Sequence, residues 1–274
     1  MSILVGTSGW TYPRWRGDFY PDGLVHRREL TYLAERTTSV ELNGSFYSLQ
    51  RPSSYARWRD ETPADFVFAV KGSRYMTTMK RLIGIETAMA NFWASGVLAL
   101  GPKLGPVLWQ LPKPMTFDAT TLAAFFDLLP RSMSAAAELA KGHDDKVPQD
   151  RALVTPEDGC AQLPIRHVLE PRNVSFASAE AVDLLRDNGI GMVLSDSPDS
   201  WPLFDEDTSD VRYVRLHGHT DLYASGYDAP ALDAWAARCR GWEAAGRDVF
   251  VYFDNDARGR APWDAVSLVQ RLGG

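Results

Sequence analysis

Short hydrophobic runs alternate along the chain with amphipathic stretches, and most of these runs end in a polar residue. Eight such runs occur, at residues 3–7, 39–43, 66–71, 106–111, 166–170, 191–196, 211–217 and 248–255. Eight strands separated by helices form a (β/α)8 barrel, in which functional side chains lie at the carboxyl ends of the strands. The pattern therefore predicts an α/β fold of the TIM-barrel type, with its site at the ends of these runs.

Stretches with hydrophobic residues three and four positions apart fill the gaps between the predicted strands and indicate helices. They are residues 27–36, 53–61, 85–98, 120–129, 179–188, 231–244 and 263–272. The gap between the fourth and fifth strands is longer than one crossover requires, so residues 131–164 are predicted to form an insertion. The short, proline-containing gap between Asp196 and Val211 is not expected to hold a full helix.

Length and composition are those of one globular domain. The 274 residues fit a single barrel, predicted to span residues 1–274, and 45% of them are hydrophobic. The net charge of −6 gives no general attraction to nucleic acids or anionic membranes, although a basic and apolar segment at residues 75–81 leaves nucleic acid as a less favoured partner. Cys160 and Cys239 stand in unrelated contexts and are expected to be structural thiols. No run approaches the ~20 apolar residues of a membrane span, and a cytoplasmic location is expected.

The alternation of side chains along a strand predicts which of them enter the barrel. In the seventh run, Val214 and Leu216 suit the outer helix layer, which directs Tyr213, Arg215 and His217 inward. Inward or strand-end polar positions in the other runs are Glu41, Asn43, Lys71, Gln110, Glu170, Arg172, Asp196, Asp254 and Asn255. Burying so many charges costs several kcal/mol per ion, which favours a ligand pocket over a purely stabilising network, although such a network remains an alternative.

Ordered motifs over most of the chain carry a resemblance to a known family. They are GTSGW at 6–10, FYP at 19–21, VELN at 40–43, FAVK at 68–71, LGPVLWQLP at 104–112, EPR at 170–172, YVRLHG at 213–218 and VYFDN at 251–255. Together they resemble the YecE-like family of domains of unknown function, from about residue 4 to residue 265. The resemblance implies a TIM-type barrel and no particular reaction. The chain departs from the family pattern at Thr78, Pro171 and Asp254, where the family usually has His, an aromatic residue and Asn.

An anionic substrate explains most of the predicted site. Lys71, Arg172 and Arg215 could converge on a phosphate or carboxylate, and His217 could act as a general acid or base. We therefore predict an enzyme without an organic cofactor that uses acid-base or hydrolytic chemistry on a small phosphorylated or carboxylated substrate. The predicted catalytic residues are His217, Glu170, Glu41 and Asp196. The predicted substrate-binding residues are Trp10, Asn43, Lys71, Gln110, Arg172, Arg215 and Asn255.

Three alternatives remain open at the level of the sequence. Carboxylates and His217 could hold a divalent metal for a hydrolase or isomerase, but the nearby arginines oppose a cation. Glu41 and Glu170, with Trp10 as a platform, could serve a glycosidase. A non-catalytic protein that binds a nucleotide, a nucleic acid or a metabolite would use the same pocket. The oligomeric state is not indicated.

Overall fold

Parallel strands form the centre of the fold in the computed structural model, which describes residues 2–273. The nine strands are β1 (Ile3–Ser8), β2 (Ser39–Leu42), β3 (Val67–Lys71), β4 (Leu104–Gln110), β5 (His167–Glu170), β6 (Gly191–Met192), β7 (Leu194–Asp196), β8 (Val211–Leu216) and β9 (Asp248–Phe253). Their order in the sheet is β6-β5-β4-β3-β2-β1-β9-β8-β7.

The first and last strands of this order, β6 and β7, both lie within the sixth predicted strand. Only Val193 separates β6 from β7, and its amide donates a hydrogen bond of 2.9 Å to the carbonyl of Leu169. β6 pairs with β5, and β7 pairs with β8. The two short strands are thus consecutive pieces of one barrel position, and the sheet is a nearly closed ring of eight positions. The predicted α/β barrel is confirmed.

Helices connect the strands on the outside of the ring. They are α1 (Glu29–Ala34), α2 (Gly44–Tyr47), α3 (Pro52–Asp60), α4 (Glu86–Ala94), α5 (Ala119–Asp127), α6 (Met133–Ala140), α7 (Ala179–Asp187), α8 (Ala229–Ala244) and α9 (Ala261–Leu272). The seven predicted helices are all present, with shifted ends, whereas α2 and α6 were not predicted. Local chemistry explains several starts: the Asp118 carboxylate accepts a 2.7 Å hydrogen bond from the Thr121 amide before α5, and prolines lie in the first turns of α8 and α9.

Hydrophobic side chains fill both the barrel and the layer around it. The interior contains Ala69, Leu108, Val168, Val193, Val211, Tyr213, Phe250 and Tyr252. Val214 and Leu216 belong to the larger outer core between strands and helices, as the alternation predicts. Because the interior is packed, a ligand must bind at an end of the barrel.

The predicted insertion lies between β4 and β5 and contains α6. This helix packs against α4, and the Leu153 amide donates a 2.9 Å hydrogen bond to the carbonyl of Ala94 at the end of α4. The insertion therefore extends the outer helix layer. Cys160 and Cys239 are buried and form no disulfide within residues 2–273. No helix in that described range is long and apolar enough to cross a membrane.

Candidate active site at the carboxyl ends of the strands

Arg215 lies at the centre of a buried ionic network. Its Nε and Nη2 donate to the two carboxylate oxygens of Glu41 at 3.0 and 2.9 Å, and its Nη1 donates to Glu170 at 2.9 Å. Nη2 also donates to Asp254 at 3.1 Å. Only 1% of Arg215 is exposed; this burial would lower its pKa, but the three carboxylates outweigh it and raise the pKa. The guanidinium donors are thus directed at groups of the protein itself.

Glu41 has further donors from two other strands of the barrel. The hydroxyl of Ser8, at the end of β1, donates to Glu41 at 2.8 Å, and the hydroxyl of Tyr213 on β8 donates to it at 2.7 Å. These contacts explain how a fully buried carboxylate is accommodated, because each of its oxygens accepts from at least two groups.

Arg172 approaches Glu170 from the loop that follows β5. Its Nε and Nη2 donate to Oε1 of Glu170 at 2.9 and 2.7 Å, and Nη2 also donates to Gln110 at 3.1 Å. The guanidinium lies 3.9 Å from the ring centroid of Trp201. Burial alone would raise the pKa of Glu170, but Arg172 and Arg215 outweigh it and lower the pKa to about 2. Nη1 of Arg172 makes no hydrogen bond within residues 2–273, so its N–H groups can donate hydrogen bonds to an anion.

His217 lies between two carboxylates. Its Nδ1 is 3.1 Å from Oδ2 of Asp254, and its Nε2 is 3.8 Å from Oε1 of Glu170. The rings of Trp201 and Tyr223 approach it edge-on at 5.2 and 5.3 Å. Burial lowers the pKa of His217, although Asp254 opposes this shift. The neutral imidazole is therefore favoured at neutral pH, which leaves it able to accept a proton.

Lys71 at the end of β3 is a buried amine. Only 7% of the residue is exposed, and Nζ lies 4.4 Å from the ring centroid of Phe46. Within the described residues, Nζ makes no hydrogen bond and no ion pair. Burial and, to a smaller extent, the charge of Arg215 lower the pKa of Lys71 to about 8. A fraction of the amine is therefore unprotonated near neutral pH.

A cavity of about 490 Å3 opens beside Asp254, and its lining also includes Tyr12, Tyr223 and Asp256. Burial raises the pKa of Asp254, but Arg215 outweighs it, and the net pKa is lowered. The pKa of Asp256 is instead raised to about 6, chiefly by burial and secondarily by Asp254. One cavity therefore holds two carboxyl groups with well-separated pKa values, of which only Asp256 becomes substantially protonated as the pH falls to about 6.

A second cavity, of about 340 Å3, lies on the other side of Tyr12, which lines both. Its walls include Trp10, Trp58 and Asn43. The Oδ1 atom of Asn43 is buried and has no hydrogen-bond partner in the described part of the chain. This second cavity offers an aromatic surface next to the cavity that Asp254 and Asp256 line.

The structure brings most of the predicted site residues together. Those in the ionic network or directly bonded to it are Glu41, Gln110, Glu170, Arg172, Arg215 and His217. Asp196 instead accepts a 2.7 Å hydrogen bond from Tyr227, and Asn255 donates to Asp264 at 2.8 Å. Neither is hydrogen-bonded to Arg215. The catalytic and binding roles of all the predicted site residues stay predictions.

The sequence directed Tyr213 inward and offered Ser8 as a donor at the end of the first strand, but it did not predict that both donate to Glu41. Asp256, which provides the second carboxyl group of the cavity, was not predicted. Strand alternation could not identify Asp256, because β9 ends at Phe253 and Asp256 lies three positions beyond it. Thr78, which stands where the resembled family has His, is exposed. Across residues 2–273, no three His, Cys, Asp or Glu side chains are grouped so that they could hold a metal ion.

Comparison with known proteins places the chain in a family. Residues 4–274 match the family described as "Protein of unknown function DUF72". The chain is 28% identical to the UPF0759 protein YecE of Escherichia coli K12 over 153 residues, which are 53% of each protein. It is 33% identical to the UPF0759 protein YunF of Bacillus subtilis over 119 residues, which are 40% of each. These alignments span about half or less of the curated relatives.

Solved structures show the same fold. The crystal structure of a DUF72 family protein from Thermotoga maritima matches with a TM-score of 0.76 at 22% identity, over 100% of both chains. A DUF72 family protein from Enterococcus faecalis matches with a TM-score of 0.73 at 14% identity, over 100% of this chain and 96% of that one. Since the family match covers nearly the whole sequence, the chain belongs to the DUF72 family of proteins of unknown function.

Proposed function

We propose that the protein is an enzyme that transfers protons on a small anionic substrate bound at the carboxyl ends of the barrel strands. The observation that carries the proposal is the pair Asp254 and Asp256, which line one cavity but have pKa values shifted in opposite directions. Two titratable groups whose environments separate their pKa values are typical of an acid and base assignment.

The neighbouring side chains suggest a division of roles. His217 accepts a proton, because burial keeps it neutral and Asp254 lies 3.1 Å from its Nδ1. Asp256 donates a proton, because its pKa is about 6. Arg172 holds the anionic group of the substrate through its unoccupied Nη1, and the charge of Lys71 assists. In a hydrolytic reaction the same base would activate water and the same acid would protonate the leaving group.

Isotope exchange tests this proposal and does not require that the substrate be identified first. The protein is incubated in deuterated and in 18O-labelled water with panels of small carboxylates and phosphate esters, and isotope incorporation is measured by mass spectrometry. We expect incorporation into at least one class of compound. Asp256→Asn should reduce the rate about 100-fold or more, as the loss of a general acid does. Asp233→Asn, which removes an exposed carboxyl group on α8, serves as the matched control.

Two outcomes would contradict the proposal. Compounds that raise the melting temperature without any incorporation would favour a non-catalytic binding protein for a metabolite or nucleotide. Incorporation that a chelator abolishes would favour the metal-dependent alternative, with carboxylates such as Glu170 released from Arg215 to bind the ion.

A further inference from the structure

Lys71 and Lys103 are both buried, but within the described residues only Lys103 has hydrogen-bond acceptors for its ammonium group. Lys103 donates to the carbonyls of Arg59 and Thr62 at 2.6 and 2.8 Å and to the Thr62 hydroxyl at 3.1 Å, so its ammonium group has three acceptors. Lys71 is similarly buried, but none of the described residues accepts a hydrogen bond from its Nζ. A buried ammonium group is normally paired. Lys71 therefore lacks the contacts that would explain it as a structural residue.

The surroundings of Lys71 are those that activate an amine. A lysine becomes nucleophilic when it is desolvated in an apolar pocket or placed next to another cation, since both favour the neutral form. Phe46 supplies the apolar wall and Arg215 the cationic neighbour, and burial together with Arg215 outweighs the opposing charges of Glu41, Glu170 and Asp254. The lowered pKa of about 8 agrees with this geometry.

We propose that Lys71 forms an imine with the carbonyl carbon of a small oxo acid. The inference rests on the proposed function, because it names the substrate class for the same end of the barrel, where the charges of Lys71 and Asp254 interact. An oxo acid combines the carbonyl group that an amine attacks with the carboxylate that Arg172 can bind through Nη1.

The covalent step balances without any redox partner. The lone pair of Nζ bonds to the carbonyl carbon, and the electrons of the broken C–O π bond pass to the oxygen, which takes a proton. A second proton then allows the hydroxyl group to leave as water while the nitrogen loses a proton, and a C=N bond forms. His217 and Asp256 are the groups that exchange these protons. The protonated imine keeps the positive charge of Lys71 near Glu41, Glu170 and Asp254.

Reductive trapping tests the inference on the wild-type protein. Pyruvate or glyoxylate is added with sodium cyanoborohydride at pH 7, and the modified residues are mapped by proteolysis and mass spectrometry. Reduction of an imine adds the mass of the oxo acid less one oxygen atom. The chain has six lysines, which makes the mapping unambiguous. We expect Lys71 to be labelled at least about 10-fold more than the exposed Lys141, and Lys103 to remain unlabelled.

Two controls separate a specific imine from general reactivity. Lys71→Arg keeps the positive charge and should lose the dominant label, and circular dichroism verifies that the variant is folded. Lactate, which has the carboxylate but no carbonyl group, should reduce labelling of wild-type Lys71 by competition. Labelling spread evenly over exposed lysines, or no label on Lys71 with either oxo acid, would overturn the inference.

The failures of the two proposals are distinguishable. Isotope exchange that persists on another anionic substrate, with no label on Lys71, would refute the imine and leave the proton-transfer function standing. A specific label on Lys71 without deuterium incorporation into any compound would establish the nucleophile and refute the acid-base assignment of Asp254 and Asp256, since reversible imine formation by itself exchanges only the carbonyl oxygen with labelled water.

Discussion

Replacing Arg215 with methionine should destabilise the protein strongly, because the change leaves three buried or partly buried carboxylates without their common cation. Removing one partner from a buried ion pair typically costs about 3–5 kcal/mol. The shift of Glu170 has the direction expected for such a pair, because Arg172 and Arg215 lower its pKa although burial alone would raise it. Glu41 keeps Ser8 and Tyr213 as donors, so the loss there should be smaller.

The loss should also depend on pH in a definite direction. In the wild-type protein, the lowered pKa of Glu170 contributes stability that is complete above the unfolded-state pKa of about 4 and is lost as the pH falls toward about 2. Without Arg215, the folded-state pKa of Glu170 rises and this contribution shrinks. The difference between Arg215→Met and wild type should therefore be largest at neutral pH and decrease as the pH falls through about 4.

Urea unfolding followed by circular dichroism at pH 7 and at pH 4 measures both effects. Arg212→Met is the matched control, because Arg212 lies on the same strand and is also buried, but its partner Asp205 is 46% exposed and should tolerate the loss better. Adding Glu170→Gln to Arg215→Met should recover part of the stability. A free energy of unfolding for Arg215→Met within about 1 kcal/mol of wild type at pH 7, or a deficit that does not shrink at pH 4, would refute the reasoning.

Three further predictions concern other parts of the site and fold. Gly72→Ala should lower the free energy of unfolding by about 1–3 kcal/mol in the same urea assay, because an added Cβ would lie 2.2 Å from Trp109. At Gly241 in α8 an added Cβ meets no atom, so Gly241→Ala should raise the free energy of unfolding by about 0.5–1 kcal/mol. Because the pKa of Asp256 is raised, the folded protein loses stability as the pH rises through about 6 and this carboxyl group ionises. Asp256→Asn should therefore raise the melting temperature relative to wild type more at pH 8 than at pH 5, and equal differences at the two pH values would contradict this. Phosphate or acetate should raise the melting temperature more than chloride does at equal ionic strength, and Arg172→Gln should remove that difference. If the protein is instead stabilised by a co-purified divalent ion, and a chelator abolishes that stabilisation, the anion site is contradicted.

The sequence predicted the barrel and most of the site for one physical reason, which is alternation along short strands. Period-two patterning decided that Arg215 and His217 point inward, and the structure places both at the carboxyl end of β8. The same pattern could not predict which side chains form ion pairs with one another. Because Arg215 binds carboxylates on β2, on β5 and just after β9, its role depends on the curvature of the closed sheet, which is not encoded in any local stretch.

The parts that sequence reasoning missed have local causes. The short helix α2 occupies a turn too brief to show helical periodicity, and α6 lies in a segment whose many alanines give a weak contrast between faces. Asp256 lies beyond the end of β9, where alternation is no longer a reliable guide. The lack of a hydrogen-bonding partner for Lys71 within the described residues is a property of three-dimensional packing, so a sequence pattern cannot reveal it.

The ionic network also constrains the order in which the chain becomes a stable barrel. Arg215 is 174 positions from Glu41 and 207 from Ser8 in the sequence. The residues of the first strands therefore cannot form these hydrogen bonds until most of the chain has been synthesised. A nascent chain that has left the ribosome only as far as β5 holds Glu41 and Glu170 with no guanidinium from β8. Burial of those carboxylates is costly at that stage, which disfavours a premature half-barrel and delays closure until the last strands are present.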